Sequence, residues 1–192
     1  MNTHKISSVQ NQIENVLRDQ ILSGALQPGN KITAQELASQ LGLSRTPVQT
    51  ALKALIKEGL IENRTVNANY VADAPSDSNK MLLNNIKKQV EDFCLQQFRL
   101  NYSADDIKEL EAYHLEAKRA LSTHDSLSFI NGCMAFHKHY IDAAGQDMTN
   151  IWYPIALRLR LGDGKPVYNE KELLSIEDIL HDLKGQAESQ AS

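Results

Sequence analysis

Long apolar runs are absent from this 192-residue chain, and no apolar core follows the N-terminal Met-Asn-Thr-His-Lys. The first absence speaks against a membrane-spanning helix, which needs about 20 apolar residues, and the second against a secretory signal peptide. Cysteine is scarce. Cys94 and Cys133 form no spacing motif, and in a chain without a secretory signal both are expected to be reduced and buried, in a cytoplasmic setting. The chain also lacks a Gly-rich phosphate loop, a His-Glu metal motif and a nucleophile elbow, so nothing directs the reading to an enzyme. Cys133 with His137 is the nearest thing to a catalytic dyad, but the cysteine lies in an apolar helical run that disfavours a thiolate. Internal repeats and low-complexity tracts are missing too.

What remains is an ordinary globular composition, 42% hydrophobic, long enough for one medium domain or two small ones. The net charge of −4 is unpromising for nucleic acid, yet its distribution is uneven. Residues 1–74 carry seven Lys and Arg against six Asp and Glu, whereas residues 75–192 carry thirteen against eighteen. A nearly neutral module on an acidic body can bind DNA if its few cations line one face, with modest non-specific affinity.

Residues 41–60 are the most informative. Gly42 permits a tight turn after an amphipathic helix, Ser44 is placed to cap the next helix, and Pro47 falls in its first turn, where a missing N–H costs little. Val48, Ala51, Leu52 and Leu55 recur at helical spacing as a buried stripe. Arg45, Thr46, Gln49, Thr50 and Lys53 then face outward, and such a helix suits the base edges and phosphates of a DNA major groove.

The flanks fit the same plan. A helical pattern through Val9, Ile13, Val16, Leu17 and Ile21 stops at Gly24, Pro28-Gly29 is a turn, and Lys31-Ile32 can pair as a short strand. Thr33 with Glu36 makes a capping box for a helix through Leu41. Leu60-Ile61 and Tyr70-Val71, separated by Asn63 to Asn69, read as a two-stranded wing. The run from Leu17 to Gly29, with Gln35-Glu36-Leu37-Ala38, Ser44-Arg45-Thr46-Pro47-Val48 and Glu58-Gly59-Leu60, resembles the winged helix-turn-helix of the GntR family of bacterial transcriptional regulators over residues 9–72. The resemblance implies that Ser44, Arg45, Thr46 and Pro47 meet a DNA operator, with Gln35, Gln49, Thr50 and Lys53 beside them and Arg64, Asn67 and Asn69 on the wing. Gln35 and Gln49 stand where relatives commonly carry arginine. An amide can read adenine but neutralises no phosphate. Ala68 replaces the family's wing glycine.

Residues 74–79 have linker composition, and beyond Lys80 the chain reads helical. Met81, Leu82, Ile86, Val90, Phe93 and Cys94 are expected to line one helix to about Leu100, and Ser103 with Asp106 to open a second. A third runs from about Asp125 to Ala144, and a fourth holds Met148 to Leu159 with Pro154 as a possible kink. Gly162 to Pro166 is a break, and a last helix spans about Lys171 to Lys184 before a frayed tail. Lys88-Gln-Val-Glu91, Phe136-His137 and Ala143-Ala-Gly-Gln146 resemble signatures of the all-helical ligand-binding domain of the FadR subfamily, although the chain ends before the family's last helix would be complete.

That resemblance raises a metal site of one Asp and three His. Here only His137 matches, Cys133 stands in the aspartate position and the distal histidines are missing, so no metal or other cofactor is expected. Effector binding is assigned to His137, Tyr140 and one of Arg158 and Arg160, with Cys133 nearby; the two arginines are equally readable as surface charges. His114, His124 and His181 fall on polar stretches and are expected to be exposed. The expectation is therefore a mainly α chain: a winged helix-turn-helix domain at 1–73, a linker at 74–79 and an all-α effector and dimerisation bundle at 80–192. Its function would be a homodimeric transcriptional regulator, a repressor, binding a palindromic double-stranded DNA operator under control of a small acidic effector, with no membrane partner. The alternative is a helical effector-binding module whose winged helix no longer binds DNA.

Overall fold

A computed structural model describes residues 8–65, 68–162 and 170–191. Eight helices and a small sheet appear among them: α1 Val9–Leu22, β1 Lys31–Ile32, α2 Ala34–Leu41, α3 Arg45–Lys57, β2 Ile61–Thr65, β3 Ala68–Val71, α4 Asp77–Phe98, α5 Ala104–Ser122, α6 Ser126–Ala143, α7 Gln146–Arg158 and α8 Glu170–Ala191. They divide into two compact units, Met1–Asp77 with Leu157–Lys165, and Ser78–Ala156 with Pro166–Ser192.

In the first unit α1 and α2 pack on α3. Ile13, Leu17 and Ile21 of α1 are buried with Val48, Ala51, Leu52 and Leu55 of α3, the stripe that the spacing predicts. Burying each Val or Leu of that stripe contributes roughly 1.5–3 kcal/mol. Gly42 ends α2 at φ 64°, a left-handed conformation that an L side chain would strain. The sheet runs β1-β3-β2, all antiparallel, so the short strand joins the two strands of the wing. An ion pair of Arg18 with Glu58 (2.7 Å), both mostly buried, ties α1 to the end of α3.

Ser44 departs from expectation. It is the residue before α3, but its hydroxyl makes no capping bond. The cause is Pro47: a capping oxygen accepts from the second or third helical N–H, and Pro47 occupies the third position without one. Thr33 does cap α2, accepting from the Glu36 N–H at 3.2 Å.

The first unit also includes a segment from the far end of the sequence. Arg158 donates from Nη1 to the Gly59 carbonyl at 3.0 Å, just beyond the end of α3. Arg160 is buried beside Ile21, Leu22, Pro28 and Val71.

The second unit is helical. A complete capping box at Ser103/Asp106 starts α5, and Asp125 caps α6, accepting from the Ser128 N–H. Helix α6 is the central element, with Phe129, Cys133, Phe136, His137, Tyr140 and Ile141 all buried. Gly132 lets α5 approach closely: a Cβ there would lie 3.0 Å from the Ala117 backbone nitrogen.

Three boundaries differ from the sequence expectations. Helix α4 begins at Asp77, inside the stretch read as linker. Helix α8 continues through Gly185 to Ala191, and α7 ends at Arg158, short of Leu159. The inward stripe assigned to α4 is also wrong in part: Met81, Leu82 and Phe93 are 67%, 59% and 50% exposed, whereas Cys94, Leu95 and Phe98 are buried. The helix buries apolar residues only near its C-terminal end and leaves an apolar line outside along the rest.

Candidate nucleic-acid interface

Helix α3 presents Arg45, Thr46, Gln49, Thr50 and Lys53 to solvent, opposite its buried stripe. Thr50 returns its hydroxyl to the Thr46 carbonyl at 3.1 Å. Arg45, Gln49 and Lys53 recur one helical turn apart, so they form a single row. That row, the first turn of α2 with Gln35, and Asn63, Ala68 and Asn69 of the wing enclose an open groove of about 770 Å³. Among the described residues, the side chains of Gln35, Arg45, Gln49 and Lys53 form no hydrogen bond or ion pair with the rest of the chain. Their polar ends are free for a ligand.

The wing divides the remaining candidates. Asn63 pairs with Asn69 across β2 and β3, and both line the groove. Arg64, one residue on, is not among the groove's lining residues. It forms ion pairs with Glu62 and Asp73, donating at 2.9 Å and 2.8 Å, and lies 5.3 Å over the Tyr70 ring. Arg64 is the extra residue in a register irregularity between Asn63 and Thr65, and its side chain turns to Glu62 and Tyr70 instead of the groove. Asn67 lies outside the described residues. Asn63 was missed in the sequence because its face depends on the register with Asn69, which no local pattern fixes. Pro47 is partly buried and acts as a helix starter, while the uncapped hydroxyl of Ser44 is exposed.

The residues assigned to an effector are separated. His137 and Tyr140 border a cavity of about 360 Å³ in the second unit, with Asn84, Lys87, Lys88, Glu91 and Ser175 among its other walls. Arg158 and Arg160 belong to the first unit, one on the Gly59 carbonyl and the other buried. Cys133 is buried behind His137 and its carbonyl accepts from His137 Nδ1 at 2.9 Å. That bond fixes the proton on Nδ1 and leaves Nε2 as an acceptor, 3.8 Å from Glu91 Oε1. Burial lowers the His137 pKa below its ordinary value near 6.5. It also pushes the Tyr140 phenol well above its usual range.

Glu91 is the residue that ties this cavity together. It accepts from Trp152 Nε1 at 2.8 Å and pairs with Lys87 at 2.7 Å, while the His137 ring stacks on Trp152. The Lys87/Glu91 spacing of four on a helix was its signal in the sequence. Lys88 pairs with Asp92 in the same way. A family-type metal centre does not fit these residues: no group of three His, Cys, Asp or Glu that could hold a metal occurs among the described residues, and the carboxylate nearest His137 is already held by Lys87 and Trp152. His114, expected to be exposed, is mostly covered, and burial lowers its pKa.

The fold and this groove define a winged helix-turn-helix domain followed by an all-helical one. Residues 9–71 match the family of bacterial regulatory proteins named gntR, so this part of the chain is a GntR-family helix-turn-helix domain. The chain is homologous to the HTH-type transcriptional regulator McbR of Escherichia coli (strain K12), at 32% identity over 127 residues, 62% of this chain and 54% of that protein. An HTH-type transcriptional regulator of Bacillus subtilis (strain 168), YdhC, is 37% identical over 51 residues, 27% of this chain and 23% of its own length. The chain thus spans about half the length of the first relative and less of the second. These relatives are named as transcriptional regulators, not enzymes. The structure of E. coli McbR/YncC superposes with a TM-score of 0.78 at 23% identity, covering 94% of this chain and 88% of that one. A GntR transcriptional regulator from Rhodococcus sp. RHA1 does so at 0.68 and 16%, covering 96% and 97%. Both likenesses establish the fold.

Proposed function

We propose that this chain is a sequence-specific, DNA-binding transcriptional regulator of the FadR type, acting as a homodimeric repressor in the cytoplasm. The observation that carries the reading is the groove beside α3, where Gln35, Arg45, Gln49 and Lys53 converge with their polar ends unpaired. A polar row left unbonded on a helix that the core holds rigidly is what a major-groove reader requires. One such helix reads few base pairs, so two related by a two-fold axis, on half-sites about 34 Å apart, supply specificity. The outward apolar line of α4, with Leu82 and Phe93, supports a second copy as partner. In this reading residues 1–73 bind DNA and residues 80–192 dimerise and take the effector.

The effector site is the cavity around His137 and Tyr140. An acid was expected there because of Arg158 and Arg160, and neither lines it. The lysines that do line it are paired with Glu91 and Asp92, so a carboxylate ligand would have to compete with both. An uncharged polar or zwitterionic molecule suits these walls better. Its binding would shift the population between two settings of the DNA-binding domains.

Fluorescence anisotropy with a random-sequence duplex over a salt series tests the DNA reading. Binding that weakens steadily as salt rises supports it. No binding at low salt would leave the alternative, a helical effector module with an inert winged helix, which the small number of cations in the groove, Arg45 and Lys53 among the described residues, favours.

A further inference from the structure

We infer that the groove reads adenine, through the side-chain amides of Gln35 on α2 and Gln49 on α3. The inference rests on the DNA-binding reading and names the bases that the site selects. In the major groove adenine offers an acceptor, N7, beside a donor, N6, and the side chains that match both at once are Gln and Asn. Gln35 and Gln49 are exposed, line one groove and form no intramolecular side-chain hydrogen bond among the described residues. Both ends of each amide are therefore available for a two-bond contact.

Other bases would fall to other side chains. Cytosine is read by a carboxylate accepting from N4, and the carboxylate lining this groove is Glu36. Its Oε2 already accepts from the Thr33 hydroxyl at 2.6 Å, in the cap of α2. Guanine calls for Arg or Lys, and Arg45 and Lys53 are the cations in the groove. Arg45 sits one helical turn from Gln49, about 6 Å along the axis, which matches roughly two base steps of about 3.4 Å. An adenine under Gln49 therefore falls about two steps from the base or phosphate that Arg45 meets. Asn63 and Asn69 add two further amides on the wing side. With amides outnumbering cations, discrimination rests on base edges more than on phosphate charge.

Selection of duplexes from a random library, repeated with Gln35→Ala and Gln49→Ala, tests this. The wild-type protein is expected to enrich half-sites with A·T pairs at fixed positions, and each variant to flatten the preference at one of them. Replacing the adenine under Gln49 by 7-deazaadenine keeps the base pair and removes the N7 acceptor. It should weaken wild-type binding about tenfold and leave Gln49→Ala nearly unaffected. The oligonucleotide arm does not depend on a variant folding. Enrichment of G·C at those positions, preferences unchanged in both variants, or 7-deazaadenine binding as well as adenine would overturn the inference while leaving DNA binding intact. Failure to bind any duplex at low salt would overturn the DNA-binding reading and this inference with it.

Discussion

Replacing Arg45 by alanine separates binding from folding more cleanly than any other change in this chain. The side chain is exposed in the first turn of α3 and has no ion pair or hydrogen bond among the described residues. Its removal should change stability by no more than about 0.5 kcal/mol. The sign is favourable if anything, because a cation beside a helix N-terminus opposes the macrodipole. Binding should behave oppositely. One base or charge-assisted phosphate contact is worth about 1–3 kcal/mol, and a dimer makes it twice, so about 2–6 kcal/mol is lost. At about 1.4 kcal/mol per tenfold, affinity for a selected duplex falls by roughly 30-fold to more than 10,000-fold. Anisotropy across a salt series also tells the contact's type. A phosphate contact lowers the slope of log K against log salt by about 0.9 per protomer, whereas a base contact leaves it nearly unchanged. Equal affinity of the variant and the wild type, with both folded, would refute the placement of α3 on DNA.

Four further outcomes are expected. Gln49→Arg should raise affinity for random-sequence duplexes and steepen the salt slope by up to about 0.9 per protomer, read by the same anisotropy series, while affinity for a selected duplex gains less or falls because the adenine contact is lost; an equal gain on selected and random duplexes would contradict base reading by the amide. Gly59→Ala should destabilise the first unit by roughly 1–2 kcal/mol in thermal melting, because Gly59 sits at φ +75° and a Cβ would lie 2.8 Å from Arg158 Cδ. Stability in urea should fall as pH drops below about 6.5, because burial holds His137 and His114 below that ordinary value, so that the unfolded chain binds protons that the folded one resists. His137→Gln should reduce that loss. Chelation should leave melting and duplex binding unchanged, and stoichiometric zinc or nickel lost with several degrees of stability would contradict the absence of a metal role.

The first unit was legible because its signals are local. The buried stripe of α3, the Thr33 cap and the turn at Gly42 each follow from neighbours in sequence. The second unit was legible in its helix pattern and less so in its faces. Helix α4 carries apolar residues on more than one side, and periodicity cannot say which side meets the bundle; packing against α6 chose Cys94, Leu95 and Phe98. Asn63 lines the groove and Arg64 does not, because a register irregularity between Asn63 and Thr65, which no local pattern reveals, sets where each side chain turns. Arg158 and Arg160 were misplaced for a different reason. The chain after α7 returns to the first unit, a long-range contact that leaves no periodic trace.

Hydrogen–deuterium exchange of the protein with and without a selected duplex tests the central claim most directly, because it reads where DNA sits on the folded chain. Saturating duplex should slow exchange in peptides covering the start of α2, α3 and the two strands of the wing, with Gln35, Arg45, Gln49 and Asn63 among their residues. Unchanged exchange in those peptides at saturation, or protection confined to α4 to α8, would contradict it.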